Sequence, residues 1–282
     1  MPTYRKVAIV GVGLIGGSVG LALRQRGLAE KVVGVGRRQS SLDRALACQA
    51  MDESDTDLEN GVDGAELVVV ATPVAEIADL VCRVVATAGK DVLVTDVGST
   101  KATICAEIES RLAAAAGQFV GSHPLAGDHR TGPENARGDL FVGKTVVVTP
   151  TASTSGEALS QVEALWQNLG GLVTKLSPAE HDEALAATSH LPHLVASALA
   201  AATPAPWLHL AATGWADTTR VAAGDPELWG QIFAQNRAAM LAALHRFDEL
   251  LQLLQTHLTE ENWPELQQLL QQAKRTRDAL GN

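Results

Sequence analysis

The 282-residue sequence predicts an α/β protein: a doubly wound, Rossmann-like dinucleotide-binding domain over residues 1–176, then an all-α domain over residues 177–282. Three observations carry this. Short valine-rich runs alternate with helical stretches through the first 176 residues, the pattern of a mostly parallel sheet. A glycine-rich turn, Gly11-Val12-Gly13-Leu14-Ile15-Gly16, directly follows the first run. The pattern then changes at Ser177, beyond which only helical spacing remains.

In chain order, the predicted strands lie at 7–10, 32–35, 67–71, 92–95, 118–121, 145–149 and 172–176. They mostly lack polar alternation, as strands buried on both faces do. Helical stretches at 18–26, 75–88 and 101–116 separate several of them. Ser177-Pro178-Ala179-Glu180 then reads as a capping box with proline at the first helical position, opening a helix to Ala202. Pro204 and Pro206 break it. One long helix is predicted from 226 to about 257, capped by Asp225, because Leu228, Ile232, Met240, Leu244, Phe247, Leu251, Leu254 and Leu258 recur at helical spacing. A last helix begins near Pro264 and carries Leu266, Leu269 and Leu270.

Composition narrows the function. Hydrophobic residues make up 46% and charged residues 19%, enough for a buried core and too apolar for a disordered chain. Lys and Arg number 22 against 32 Asp and Glu, a net charge of -10, which argues against binding nucleic acid or an anionic membrane. Cys48, Cys82 and Cys105 are far apart and form neither a zinc-ligand spacing nor a disulfide framework, as expected in a reducing cytosol. The apolar run before Gly11 is too short for a signal peptide, and no uninterrupted apolar stretch reaches spanning length. A cytoplasmic protein without a membrane span is expected.

The chemistry starts at the glycine turn. Between a buried strand and a helix, Gly11 permits the turn, Gly13 lets a pyrophosphate approach, and Gly16 allows close packing. Leu14 and Ile15 complete the turn as candidate cofactor contacts, and the N-terminus of the helix that follows offers free N–H groups and positive potential to the phosphate. At the end of the second strand, where a carboxylate would select NAD, the chain has Gly36-Arg37-Arg38-Gln39-Ser40. Arg37, Arg38 and Ser40 form a socket for the 2′-phosphate of NADP, which makes NAD the lesser cofactor. Thr72-Pro73, Ser99 and His123 follow later strands and fall on the same rim of the sheet. Ser189-His190-Leu191-Pro192-His193 sets two imidazoles at i and i+3, with no nearby third ligand for a metal. No metal site is expected.

These residues together resemble the prephenate/arogenate dehydrogenase family. The matching motifs are 11–16, 95–101, 123–127, 189–193 and 217–220, the last followed by Asp225-Pro226-Glu227-Leu228-Trp229. They run in the family's order over nearly the whole chain. The resemblance implies oxidative decarboxylation of a cyclohexadienol to a phenol on the route to tyrosine. It makes His123 the catalytic histidine, Ser99 its companion at the ring hydroxyl and at the cofactor, and Ser189, His193 and Arg220 substrate contacts. His190 matches a substrate motif position, with helix packing as its alternative. Asp128 directly follows the His123 motif; in the family an acid there accompanies arogenate, whose ammonium a carboxylate favours. Arogenate is therefore the expected substrate, with prephenate, or both, as the alternative; a loop carboxylate facing solvent is the plain reading of Asp128.

Two other classes fit the sequence less well. β-Hydroxyacid dehydrogenases use a lysine on an interdomain helix, but the only lysine after Ser177 is Lys274. An NADPH-sensing regulator would not need His123, Ser99 and Arg220. A homodimer through the helical domain is expected, because the long apolar helix outruns a small domain.

Overall fold

A computed structural model describes residues 4–89, 91–112, 117–127 and 130–281. The chain divides into two compact units, Met1–Asn236 and Arg237–Asn282.

In the first unit, the described strands are β1 (Tyr4–Val10), β2 (Ala29–Val35), β3 (Glu53–Asp55), β4 (Leu67–Val70), β5 (Leu93–Asp96), β6 (Phe119–Pro124), β7 (Thr145–Thr149) and β8 (Leu172–Lys175). They form one sheet in the order β3-β2-β1-β4-β5-β6-β7-β8. Strands β1 to β6 are parallel, β7 runs antiparallel to β6, and β8 lies parallel to β7. Strand order reverses between β1 and β4, and in such sheets ligands bind beyond the carboxyl ends at that point.

The valine runs are continuous because both faces of the sheet are covered. In β1, Val7 and Ile9 join one core cluster while Ala8 and Val10 join the other; in β4, Leu67 and Val69 part from Val68 and Val70 in the same way. Helices α1 (Leu14–Gln25), α2 (Gln39–Ala47) and α6 (Gly156–Asn168) contribute to the first cluster through Leu23, Leu42 and Trp166. Helices α3 (Leu58–Val62), α4 (Val74–Ala88) and α5 (Ala102–Leu112) contribute to the second through Val62, Ile77 and Ile104. The helix expected over 101–116 matches α5, with 113–116 outside the described residues.

Two strands depart from expectation. The sequence Glu53-Ser54-Asp55 has no apolar residue to mark β3, which is recruited by pairing with the end of β2. Strand β8 is an edge with one neighbour, so it is not buried on both faces, and Leu172 is 61% exposed.

At Ser177 both halves of the capping box form: Glu180 N–H donates to Ser177 Oγ (3.2 Å) and Ser177 N–H to Glu180 Oε2 (2.8 Å). Helix α7 (Pro178–Leu185) passes through a π-helical turn, Ala186–His190, into α8 (Leu191–Ala202). Pro192 has no N–H to close an ordinary turn, and Leu191 N–H reaches back five residues to Ala186 O. By length and composition this stretch, Pro178–Ala202, could cross a membrane. Its polar His181, Asp182 and His190 are buried and hydrogen-bonded to other parts of the fold.

Helix α9 (Thr213–Thr219) leads through a 3₁₀ turn, Arg220–Ala223, to α10 (Pro226–Gln235). Asp225 caps α10 as expected, accepting from Glu227 and Leu228 N–H. The single helix predicted over 226–257 is interrupted. Asn236 is buried with ψ 27°, and its Nδ2 donates to Asp182 O (2.8 Å) and His190 Nδ1 (3.1 Å). Those two bonds hold a side chain that hydrophobic spacing cannot reveal. In the second unit, α11 (Arg237–Thr259) and α12 (Trp263–Asp278) pack as a hairpin, turned at Glu261, whose φ is +54°.

Candidate active site

The glycine turn ends β1 and starts α1. Gly11 has φ +99°, and a Cβ there would meet Ala71 O at 2.4 Å; one at Gly16 would meet Gly11 O at 2.0 Å. Both are needed for the turn and the packing behind it. A Cβ at Gly13 would meet nothing within 4 Å, so Gly13 faces open space where a ligand can approach. Gly13 is also the N-cap of α1, whose first turn carries no acid to fill its free N–H groups.

That turn lines a cleft of about 430 Å³, together with Gly36, Arg37, Arg38, Thr72 and Pro73. Arg38 is the N-cap of α2 and has no carboxylate partner among the described residues. Arg37 is tied to Glu76 of α4 at 3.0 Å. Of the two serines at the start of α2, Ser41 lines the cleft and Ser40 does not. Arg44 also lines it and contacts Ser41 Oγ at 3.3 Å. Leu14 and Ile15 pack against the core beneath the turn. Thr72 leaves its Oγ1 buried without a partner among the described residues, beside the cleft. An open glycine, a bare helix N-terminus, cations and an unsatisfied hydroxyl together fit a dinucleotide.

His123, Ser99, His193 and Arg220 do not line this cleft; the first two lie further along the same sheet edge. Strand β6 runs on to Pro124, so His123 stands within it, opposite Val147 of β7. Its neighbour Ser122 points to the other face, where it is buried and accepts from Trp166 Nε1 (3.0 Å). His123 Nδ1 lies 2.9 Å from His181 Nε2, and His181 Nδ1 lies 2.8 Å from Asp182 Oδ1. Asp182 accepts from the N–H groups of Lys101 (2.8 Å) and Ala102 (2.9 Å), at the start of α5. This ties α7 to the loop carrying Ser99. Lys101 and Asp96 form a fully buried ion pair under that loop, and Asp96 also accepts from Gly98 N–H (2.8 Å) and Ser122 N–H (3.1 Å).

Burial is the main reason His123 is held well below its ordinary pKa, with His181, Lys101 and His190 adding to it. Burial also lowers His181, against the opposing pull of Asp182. Both rings are therefore neutral near pH 7.

His193 is buried and stacks on Trp229, with ring centroids 3.6 Å apart, and its Nδ1 has no partner among the described residues. His190 is buried in helix packing, accepting from Asn236 and meeting Trp229 edge-on; burial pushes its pKa down to about 4. Ser189 is half-buried in the π-helical turn, and Arg220 is exposed at the end of α9 with no ion pair among the described residues. Asp128 lies outside the described residues. Among those residues no group of His, Cys, Asp and Glu is arranged to hold a metal.

Sequence reasoning missed His181 and Asp182, and it included Lys101 and Trp229 in motifs without giving either a role. His181 and Asp182 follow the capping box by one and two positions, near the helix's start, a place that could have drawn notice. Their partner in β6 could not be read from local spacing.

Residues 19–175 match the family model for the nucleotide-binding domain of prephenate dehydrogenase, and residues 177–272 the model for its dimerization domain. A cyclohexadienyl dehydrogenase of Zymomonas mobilis is 31% identical over 99% of this chain and 97% of its own length. The crystal structure of a prephenate dehydrogenase from A. aeolicus, in complex with hydroxyphenyl propionate and NAD+, is similar with a TM-score of 0.89 at 31% identity, covering 98% of each chain. That of Synechocystis arogenate dehydrogenase gives 0.83 at 34% identity, covering 98% of this chain and 99% of its own.

Proposed function

The chain belongs to the prephenate dehydrogenase family, and from that premise we propose that it oxidatively decarboxylates arogenate to tyrosine with NADP as hydride acceptor. The observation that carries the reading is His123, neutral and hydrogen-bonded, on the edge of the sheet that also holds the dinucleotide cleft. We assign residues 1–176 to dinucleotide binding and 177–282 to substrate binding and dimerisation, in a cytoplasmic enzyme.

The glycine turn and the start of α1 would hold the pyrophosphate, and Arg37, Arg38 and Ser41 a 2′-phosphate. When bound, the nicotinamide supplies the acceptor for the hydride that leaves ring C4. His123 takes the C4 hydroxyl proton, and the electron pair of that O–H bond becomes the second C–O bond of the carbonyl as the hydride leaves C4. General-base help of this kind is worth about 10²–10⁴-fold. The bond from C1 to the ring carboxylate then breaks, carbon dioxide leaves, and the ring becomes aromatic. His123 returns the proton to the phenolic oxygen. Ser99 shares the hydroxyl with His123, and Arg220 and His193 hold the substrate; the exposed guanidinium and the orphaned Nδ1 both support those roles.

Asp128 favours arogenate because a carboxylate attracts its ammonium and repels the keto acid side chain of prephenate. Prephenate remains the second reading, since His193 completes a motif common among prephenate users. NAD is the second cofactor, favoured by its presence in the A. aeolicus complex. An activity matrix tests all of this: both substrates, each with NAD and NADP, for the parent and Asp128→Asn. Arogenate with NADP should turn over fastest, and Asp128→Asn should lower arogenate and raise prephenate activity. An unchanged ratio removes Asp128 from the account.

A further inference from the structure

We propose that His181, held by Asp182, is a positioning residue that fixes His123 in the tautomer with its hydrogen on Nδ1 and its lone pair on Nε2. For what His123 does, this rests on the function proposed above; for how His123 is held, it rests on geometry alone.

Asp182 sets the direction of the bonds. Its carboxylate already accepts from two backbone N–H groups at the start of α5, and an ionised carboxylate has no hydrogen to give. His181 Nδ1, 2.8 Å away, is therefore the donor. In a neutral imidazole the other nitrogen is then an acceptor, so His181 Nε2 presents a lone pair. His123 Nδ1 lies 2.9 Å from that lone pair and must carry the hydrogen between them. His123 Nε2 is left bare, and it makes no hydrogen bond to any described residue.

The opposite tautomer fails twice. It would set two lone pairs against each other inside a packed site, and it would offer a substrate hydroxyl an N–H where a base is needed. Burial supports the neutral state that this logic requires in both rings. When His123 gains the hydroxyl proton, the cation can lean through His181 on the carboxylate of Asp182. Lys101, another charge acting on His123, repels it and is itself paired with Asp96.

The test is ¹⁵N NMR of the full-length protein labelled at histidine, with the His123 signals assigned by their loss in His123→Asn. The parent should show His123 protonated at Nδ1 and bare at Nε2. His181→Gln, whose amide oxygen can still accept from His123, should keep that tautomer and retain kcat within about fivefold. His181→Phe should lose the tautomer and lower kcat about 10- to 100-fold, a share of what a general base supplies, with the cofactor KM within about twofold. A parent protonated at Nε2, a tautomer unmoved in His181→Phe, or equal losses in both variants would each overturn the proposal. A parent that turns over neither cyclohexadienol would overturn the functional reading instead, and the tautomer spectrum would still decide this one.

Discussion

Arg38 and Arg37 sit side by side in the dinucleotide cleft under different electrostatic constraints. Arg38 caps α2 as a cation with no carboxylate partner among the described residues, while Arg37 is held by Glu76. A charge-assisted hydrogen bond is worth about 1.5–3 kcal/mol, so Arg38→Ala should raise the KM for NADP about tenfold or more. The KM for NAD, which has no 2′-phosphate, should change by less than about twofold on the same grounds. Arg37→Ala should act in the same direction, because it leaves Glu76 unpaired beside the phosphate. Initial-rate kinetics with both cofactors check this; equal use of NAD and NADP by the parent would contradict it. The arginines were legible because they follow a strand end directly. Glu76 was not, since it arrives from α4 through the fold.

At the scale of elements, the run from α7 to α8 concentrates neutral histidines. His181, His190 and His193 lie on it, His123 packs against it, and burial lowers the pKa of all four, that of His190 to about 4. The sign follows from linkage. Below about 6.5 the unfolded chain takes up protons that the folded chain refuses, so stability falls as pH drops from there toward the folded pKa values. The urea midpoint should therefore be lower at pH 5 than at pH 7. His190→Gln, whose oxygen can still accept from Asn236, should flatten part of that fall; an identical slope would show that His190 does not contribute. The capping box and Asp225 were readable because each is a local bond between residues a few positions apart. The π-helical turn was readable only as a proline, and the break at Asn236 not at all.

For the whole molecule, the prediction concerns assembly. The helix expected as one rod of about 48 Å is two, about 15 and 35 Å long at roughly 1.5 Å per residue. The case for a dimer now rests on the second unit, where Leu241, Leu250, Leu251, Leu253, Leu258, Trp263 and Leu270 are exposed. So many large apolar side chains on one helical hairpin mark an interaction surface, and the matched family model is that of a dimerization domain. Light scattering at micromolar concentration should give twice the monomer mass. A monomer mass would refute the dimer.

Periodicity and local chemistry determined the sheet's buried strands, the glycine turn, the capping box and the Asp225 cap, because each depends on residues close together in the chain. The same local signals placed Arg37, Arg38, Ser99 and His123 near strand ends. Tertiary structure alone decided that Glu53-Ser54-Asp55 is a strand, that β8 is an edge, and that the long helix breaks at Asn236. It alone brought His181 and Asp182 to His123, and moved the cleft hydroxyl from Ser40 to Ser41. The reason is the same in each case: a polar group is buried at the cost of its water and must find its partner elsewhere in the fold, and spacing along the chain carries no record of which distant residue that partner will be.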